Sequence, residues 1–561
     1  MGYLEEAGYE VEAIDLNIKF EQFFFKKKNV ELCLDNVERI YEKIKNSTSE
    51  LDKIRKKDCE EFIKNLNKEE LQTRLNYITF AKNNLKKKEN FSNLFLQQQS
   101  LKTYNLFKKI YSTGWLSGHN GGQKYDGYLT LLEEDEFNIF IPFFKIQADE
   151  IIKKGYSYIG FSVNSFVQTI AALTLSKILK EKGYKGIIAL GGTDIYQIKE
   201  HIKSDINLFD TYFDIAIIGN GEETTKKIFE FIEGKIKLND IDNIIFKDVN
   251  NEIISTPEKY FCNTRKTKSI YNGYDLNEYI TPEPFLPIRA TIGCYWGKCT
   301  FCDYNHGGIF SSRTPREVAD EIKYLKEKYG VENFYFVDAA LPPNFLKDFS
   351  EILIDEKIEI YYSTNLRFEK IYTTKFLDKL HKSGLRCCCW GLESGSQKVI
   401  NDMNKGIDLK VAEKILKKSK NLGMHNHIYY IYNFPTETKE DTNKTYKFIK
   451  RNKKYILSTA KHNFSLLKNS YIYEHPEQFG IEKEQLEKLD KDYYLTEEEI
   501  GLTCKKETQE IIKKIDKLFE KDGIIASFEI YMLIAKYNFI KNIRTKYLLD
   551  KYKLIIYKLF K

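Results

Sequence analysis

The chain has 561 residues, 42% of them hydrophobic, long enough for about three or four domains of ~150 residues each. Its net charge is only +7, from 88 Lys and Arg against 81 Asp and Glu, which argues against a nucleic-acid-binding surface; Lys26-Lys27-Lys28 and Lys86-Lys87-Lys88 read as solvated helix faces. No run of ~18 apolar residues and no signal peptide are seen, so neither a membrane span nor secretion is expected, and ten Cys without a secretion signal point to a reducing, cytoplasmic compartment.

In chain order, Tyr3 to Ala7 reads as the end of a helix stopped by Gly8, and Tyr9–Leu16 reads as a strand. An α/β domain normally opens with a strand before such a helix. None precedes it here, so the expectation is a late start codon or a fragment. Residues 18–142 are mostly helical and charged: Val30, Leu34, Val37, Tyr41 and Ile44 recur at helical spacing, as do Leu71, Leu75, Ile78 and Leu85. This stretch reads as an insertion, broken by a loop from Gly114 to Gly122. Clear α/β alternation returns over 143–235. A strand Tyr158–Val163, a helix over about 168–182, a strand Gly186–Leu190 and a strand Asp214–Ile218 suggest a doubly wound parallel sheet. Residues 243–256 read as a hairpin turning at Asn250-Asn251. Pro282, Pro284 and Pro287 then mark a boundary.

The second half alternates again, with strands expected at Ile288–Ile292, Asn333–Asp338, Ile358–Thr364, Cys387–Glu393, Asn426–Tyr432 and about 460–466. Six βα units suggest a partial barrel, a (β/α)6 arrangement whose chemistry sits at the C-terminal strand ends. The organisation read from the sequence is therefore an α/β, Rossmann-like domain over 1–240 with its helical insertion at about 18–142. A hairpin and linker follow at 241–284, a barrel domain at 285–480, and a helical, basic C-terminal region at 481–561.

Directly after the first barrel strand comes Cys294-Tyr295-Trp296-Gly297-Lys298-Cys299-Thr300-Phe301-Cys302, a C-x4-C-x2-C run. Three thiolates on one short loop suit three irons of an iron–sulfur cube, with the fourth iron open to a ligand. A zinc site completed by His306, or unlinked thiols, are the other readings. The remaining Cys (Cys33, Cys59, Cys262, Cys387, Cys388, Cys389 and Cys504) read as small buried hydrophobes. Cys387-Cys388-Cys389 lie on a strand and alternate in direction, so all three cannot serve one metal. Tyr429, Tyr430 and Tyr432 on the fifth strand read as core aromatics before any radical relay. In the first half, Ser162, Gly191-Gly192 and Gly219-x-Gly221-Glu222 close successive strands. Such small residues let backbone approach a flat or phosphorylated ligand closely.

The Cys run resembles that of the radical S-adenosylmethionine (SAM) enzymes, whose usual spacing is C-x3-C-x2-C; the first gap here is one residue longer. Tyr3–Val11 and Tyr158–Glu223 resemble parts of cobalamin-binding domains, so the chain resembles the cobalamin-dependent radical SAM family over roughly 1–17 and 143–480. That resemblance implies a 4Fe-4S cluster on Cys294, Cys299 and Cys302, with Phe301 packed on the adenine of SAM. It places Asp338 at the SAM amino group (a helix cap being the alternative), Arg367 at its carboxylate (or in a surface ion pair), and Glu393 on its ribose. Asn433-Phe434-Pro435-Thr436-Glu437-Thr438 stands where relatives often carry Gly-Phe-Pro-Gly-Glu-Thr. Cobalamin would be lined by Ser162, Asn164, Gln168, Gly191, Gly192, Thr193, Gly219, Gly221 and Glu222. No D-x-H-x-x-G segment supplies a lower axial His. The implied activity is C-methyl transfer to an unactivated carbon of a peptide or other natural product, with a flavodoxin or ferredoxin as electron donor. A radical rearrangement or cyclisation enzyme, and a non-catalytic metal-binding interaction protein, are the alternatives. A tRNA methylthiotransferase needs three further N-terminal Cys; only Cys33 and Cys59 lie in the first 260 residues.

Overall fold

The computed structural model describes residues 1–87, 94–117, 125–259, 268–303, 310–487, 493–496, 499–502 and 506–520. Helix α1 (Gly2–Glu6) ends ahead of Gly8 as expected. Residues 9–15, however, pair with no strand among the described residues. A strand exists only through the partners of its amides and carbonyls, and this segment is held by side chains instead. The Glu12 carboxylate accepts from Lys154 and Tyr156. Asp15 caps α2 (Leu16–Phe24) by accepting from the amides of Asn17 and Ile18, which takes Leu16 into the helix. The expected Tyr9–Leu16 strand is thus an extended segment.

The insertion is helical throughout its described part: α3 (Lys27–Ile44), α4 (Glu50–Asn65), α5 (Lys68–Lys86), α6 (Leu94–Ser112) and α7 (Tyr125–Glu133), followed by α8 (Ile141–Lys154). The loop expected at Gly114–Gly122 is described only to Ser117. Val30, Val37 and Ile40 of α3 share one apolar core with Ile170, Leu190 and Ile195 of the neighbouring sheet layer. The insertion therefore packs on the sheet that it interrupts. Fully buried Arg55 ties α4 to the end of α7, 2.7 Å from Glu134 and 3.1 Å from Asp52.

The first sheet has the order β1-β2-β3-β4-β5. β1 (Tyr158–Ser162), β2 (Ile187–Gly191) and β3 (Ile215–Ile217) are parallel, and α9 (Phe166–Glu181) crosses from β1 to β2. β4 (Ile244–Lys247) and β5 (Ile253–Ser255) add the expected hairpin antiparallel to β3.

The second sheet is fully parallel. Its strands are β6 (Phe285–Ile288), β9 (Asn333–Phe336), β10 (Tyr361–Leu366), β11 (Leu385–Glu393), β12 (His425–Tyr432) and β13 (Ser458–Asn463), with a small pair β7 (Thr291–Ile292) and β8 (Ser311–Ser312) between β6 and β9. They lie side by side in sequence order, as a partial barrel of six βα units requires. The first strand ends at Ile288 rather than Ile292. Buried Asp338 takes the amides of Ala290 and Thr291, which leave the ladder. Helices with local start signals cover the outer face: Thr314 and Glu317 form a capping box with Pro315 at the first turn, and Thr438 and Asp441 form another. Helix 506–520 packs its Ile512 and Ile515 into the same core.

Candidate functional site

β11 alternates as its sequence demands. Cys388 turns to the outer core, its sulfur 3.9 Å from that of Met424, whereas Cys387 and Cys389 face the concave side with Phe285 and Tyr429. These three Cys, with Cys33 and Cys59, are buried as expected; Cys262 and Cys504 lie outside the described residues. Tyr430 belongs to the outer core, and Tyr429 faces inward.

The loop Cys294–Cys302 leaves β7 at the C-terminal edge of this sheet, where the βα connections gather. Its three thiols are half-buried. The turn after helix Gln397–Asp402 clamps it from below. The Thr300 amide donates to the Met403 carbonyl at 3.0 Å, and the Thr300 hydroxyl to that of Asp402 at 3.1 Å. Trp296 Nε1 donates to Asn404 at 3.0 Å. Trp296, within the long first gap, also lies under the Arg367 guanidinium, 3.9 Å from the ring centre. Cys302 and Cys299 are joined through a backbone hydrogen bond of 3.3 Å. His306, the fourth ligand of the zinc reading, is outside the described residues. Among the described residues no three His, Cys, Asp or Glu side chains come within reach of one metal ion.

Arg367 is only 3% exposed, so it is not a surface ion pair. It donates to the Lys405 carbonyl at 2.8 Å and sits 3.4 Å from Glu369, which also takes the Tyr295 hydroxyl. Glu393 closes β11 with φ +62°, a strained setting for a side-chain-bearing residue and one typical of functional sites. Its carboxylate folds back over Gly391, where a Cβ would stand 2.6 Å from Glu393 Oε1 and push the carboxylate aside. Oε1 meets Lys405 Nζ at 2.7 Å. Burial pushes the Cys299 thiol above its ordinary value, against the pull of Lys405 and Arg367. Phe301 packs into a neighbouring apolar cluster, its ring centre 6.0 Å from Lys405 Nζ.

Asp338 sits on the other side of the loop's first strand. Its carboxylate accepts from the Ala290 amide at 3.0 Å, the Thr291 hydroxyl at 2.7 Å and the Thr291 amide. Burial raises its pKa, and those hydrogen bonds oppose the rise. Asp338 thus fixes the chain three residues before Cys294.

In the first sheet, Ser162 and Gly191 end β1 and β2 in register, and Gly191 pairs with Ile217 of β3. Gly192 continues at φ +117°, and a Cβ there would stand 2.1 Å from the Val163 carbonyl oxygen, so only glycine makes this crossing. The Asn164 amide donates to Gln168 Oε1 at 2.8 Å, and the Thr193 amide to Asn164 Oδ1 at 3.3 Å. Gly219, Gly221 and Glu222 follow β3, with Gly221 and Glu222 opening helix Gly221–Ile232. The structure gathers these nine residues along one edge, and Ser162, Asn164, Thr193, Gly219 and Glu222 are exposed there. A short ladder joins the two edges: β14 (Ser465–Leu467) pairs with β15 (Tyr494–Thr496). Tyr494 accepts from Gln197 at 2.6 Å on α10 (Thr193–Gln197), the helix that starts at the rim. Neighbouring Tyr493 packs its ring 6.1 Å from Tyr196 and donates to Asp303, next to Cys302.

Residues 288–449 match the family model described as the radical SAM superfamily. That stretch of the chain carries a radical SAM domain. Among curated proteins, the chain is similar to an uncharacterised methyltransferase of Pyrococcus horikoshii, 23% identical over 50% of this chain and 61% of that protein. It is similar also to the cytidylyl-2-hydroxyethylphosphonate methyltransferase of Streptomyces wedmorensis, 22% identical over 55% of this chain and 64% of that one. The chain thus spans about three fifths of the length of these relatives. Among solved structures, the cobalamin-dependent SAM radical enzyme OxsB with aqua-cobalamin bound superposes with a TM-score of 0.53 at 16% identity, covering 72% of this chain and 66% of that one. The two-sheet architecture is the fold of that enzyme.

A radical SAM domain implies a 4Fe-4S cluster and SAM, and the residues present fit the cluster: three half-buried thiols on one loop, beside two cations that offset thiolate charge. Reading the sequence missed Lys405, Trp296 and Glu369. A faint signal existed in Asn404-Lys405-Gly406, a turn placed directly after a barrel helix. No helix of the described residues is long and apolar enough to cross a membrane.

Proposed function

We propose that the chain is a cobalamin-dependent radical SAM methyltransferase. The contact that carries this reading is the β15 bridge from α10, at the glycine rim, to Asp303, beside Cys302. A rim suited to one flat cofactor and a loop suited to a cluster thus share one connecting strand. When bound, the cluster supplies the electron that cleaves SAM to a 5′-deoxyadenosyl radical, and cobalamin supplies the methyl group delivered to the substrate carbon.

The chain's own residues divide the remaining work. Cys294, Cys299 and Cys302 hold the cluster, and Asp338 and the 402–406 turn fix their loop. Glu393 addresses the ribose of SAM, Phe301 its adenine and Arg367 its carboxylate. The rim residues from Ser162 to Glu222 seat cobalamin through backbone amides and small side chains. In this reading the cobalamin domain spans 1–240 and the radical SAM domain 285–480, and the 241–284 stretch between them lends its hairpin β4–β5 to the first sheet. Tyr335 and Val337 remain 37% and 42% exposed, and Phe285 and Tyr429 pack on Cys387 and Cys389, side chains suited to an uncharged carbon of a peptide or natural product. An electron donor of the flavodoxin or ferredoxin class completes the cycle.

The test is anaerobic reconstitution with iron, sulfide and cobalamin, followed by product analysis. Methylated product with both 5′-deoxyadenosine and S-adenosylhomocysteine is expected. SAM cleavage that proceeds unchanged without cobalamin would remove the methyl-transfer half of the proposal.

A further inference from the structure

Lys405 is a second cation beneath the Cys loop, and it is held there with unusual care. Its side chain is 11% exposed, and Nζ sits 2.7 Å from Glu393 Oε1. Its carbonyl takes Arg367 at 2.8 Å, while the carbonyls of Asp402, Met403 and Asn404 take Thr300 and Trp296. The turn that carries the ammonium is therefore stitched at three points to the loop that carries the thiols, which fixes Nζ relative to Cys299. Burial alone would neutralise a lysine. Here the Glu393 carboxylate, 2.7 Å from Nζ, supplies the counter-charge that lets the buried ammonium keep its proton. Nζ lies 6.0 Å from the centre of the Phe301 ring, one residue before Cys302, so the ammonium stands against the loop of thiols.

We propose that Lys405 is a positioning residue for electron transfer: its buried ammonium offsets negative charge beside Cys299, so that a cluster held there accepts an electron more readily. The step is a one-electron reduction by an external low-potential donor, with no bond made and no proton moved. The proposal rests on the radical SAM reading of the loop.

It is tested by measuring the midpoint potential of the reconstituted full chain, without SAM, by electron paramagnetic resonance at stepped potentials. Lys405→Met should lower the potential. The ratio of reduced to oxidised cluster at a fixed potential should fall on the order of tenfold, the effect of one charge across ~10 Å at an effective dielectric of ~20. Lys405→Arg should restore most of it, and Glu393→Gln should shift it the opposite way. A Lys405→Met potential equal to or above that of the native chain overturns the proposal. If that variant assembles no cluster, the Glu393→Gln arm decides, and an unchanged or lowered potential there overturns it. A native chain that assembles no cluster defeats the radical SAM reading and this proposal with it, whereas a cluster with unshifted potentials defeats this proposal alone.

Discussion

The two strand-end edges of this molecule are built by different means. The rim of the first sheet is made of backbone: Gly191, Gly192, Gly219 and Gly221 put no side chain there, Gly219 and Gly221 border open space, and five of its nine residues are exposed. The Cys loop of the second sheet is made of buried side chains: Arg367, Lys405, Glu393 and Asp338 are paired around it, and Trp296 is pinned to a turn more than 100 residues away. A large, flat cofactor needs a shelf with nothing standing on it. Three thiolates gathered in a half-buried loop need counter-charges already in place, because burying charge without partners is expensive. The rim should thus be sensitive to added atoms and tolerant of charge changes, and the loop the reverse.

The largest expected effect tests the loop. Replacing Cys294, Cys299 and Cys302 together by Ala should take bound iron from about four atoms per chain, as one cubane requires, to none. Iron and sulfide analysis after reconstitution checks this, and the fold should survive, since the thiols are not core residues. Next comes the rim. Gly192→Ala puts a Cβ into the Val163 carbonyl and strains a positive φ. It should cost about 2–3 kcal/mol in a denaturant melt and abolish cobalamin retention on gel filtration.

The third prediction sharpens the contrast through pH. Burial raises Glu437, at the C-terminal end of β12, from its ordinary 4.5 to about 7. A carboxyl raised in the folded state takes up a proton on folding. Its contribution is therefore full below about pH 4.5 and lost as pH rises through about 7. Glu437→Gln, always neutral, should exceed the native chain by up to about 3 kcal/mol above that window and converge with it at low pH. Parallel melts from pH 5 to 8 read the difference. The smallest effect is at the rim again. Glu222→Gln removes one charge from the first turn of helix Gly221–Ile232, and about 0.5 kcal/mol or less should be lost. A loss of several kcal/mol would show that the rim too depends on charge.

Much of this contrast was legible in the sequence where it is local. Spacing gave the Cys loop, small residues at strand ends marked the rim, and all six barrel strands were placed to within a few residues. What escaped lies in contacts that spacing cannot show. The first barrel strand stops at Ile288 because Asp338, just past the end of the next strand, claims the amides that would have continued it. Tyr9–Leu16 carries a strand-like pattern but lies beside Lys154 and Tyr156 rather than a ladder partner. Lys405 reads as an ordinary surface lysine until Cys299 and Glu393 are brought to it in space.

The central claim, that the Cys294–Cys302 loop holds a cluster to which SAM binds directly, is tested by one spectrum taken twice. The reconstituted and reduced chain is examined by electron paramagnetic resonance before and after SAM is added. The expected result is the signal of a reduced 4Fe-4S cluster whose line shape changes with SAM and which is absent from Cys299→Ala. A signal indifferent to SAM, or one that persists in Cys299→Ala, would contradict the account.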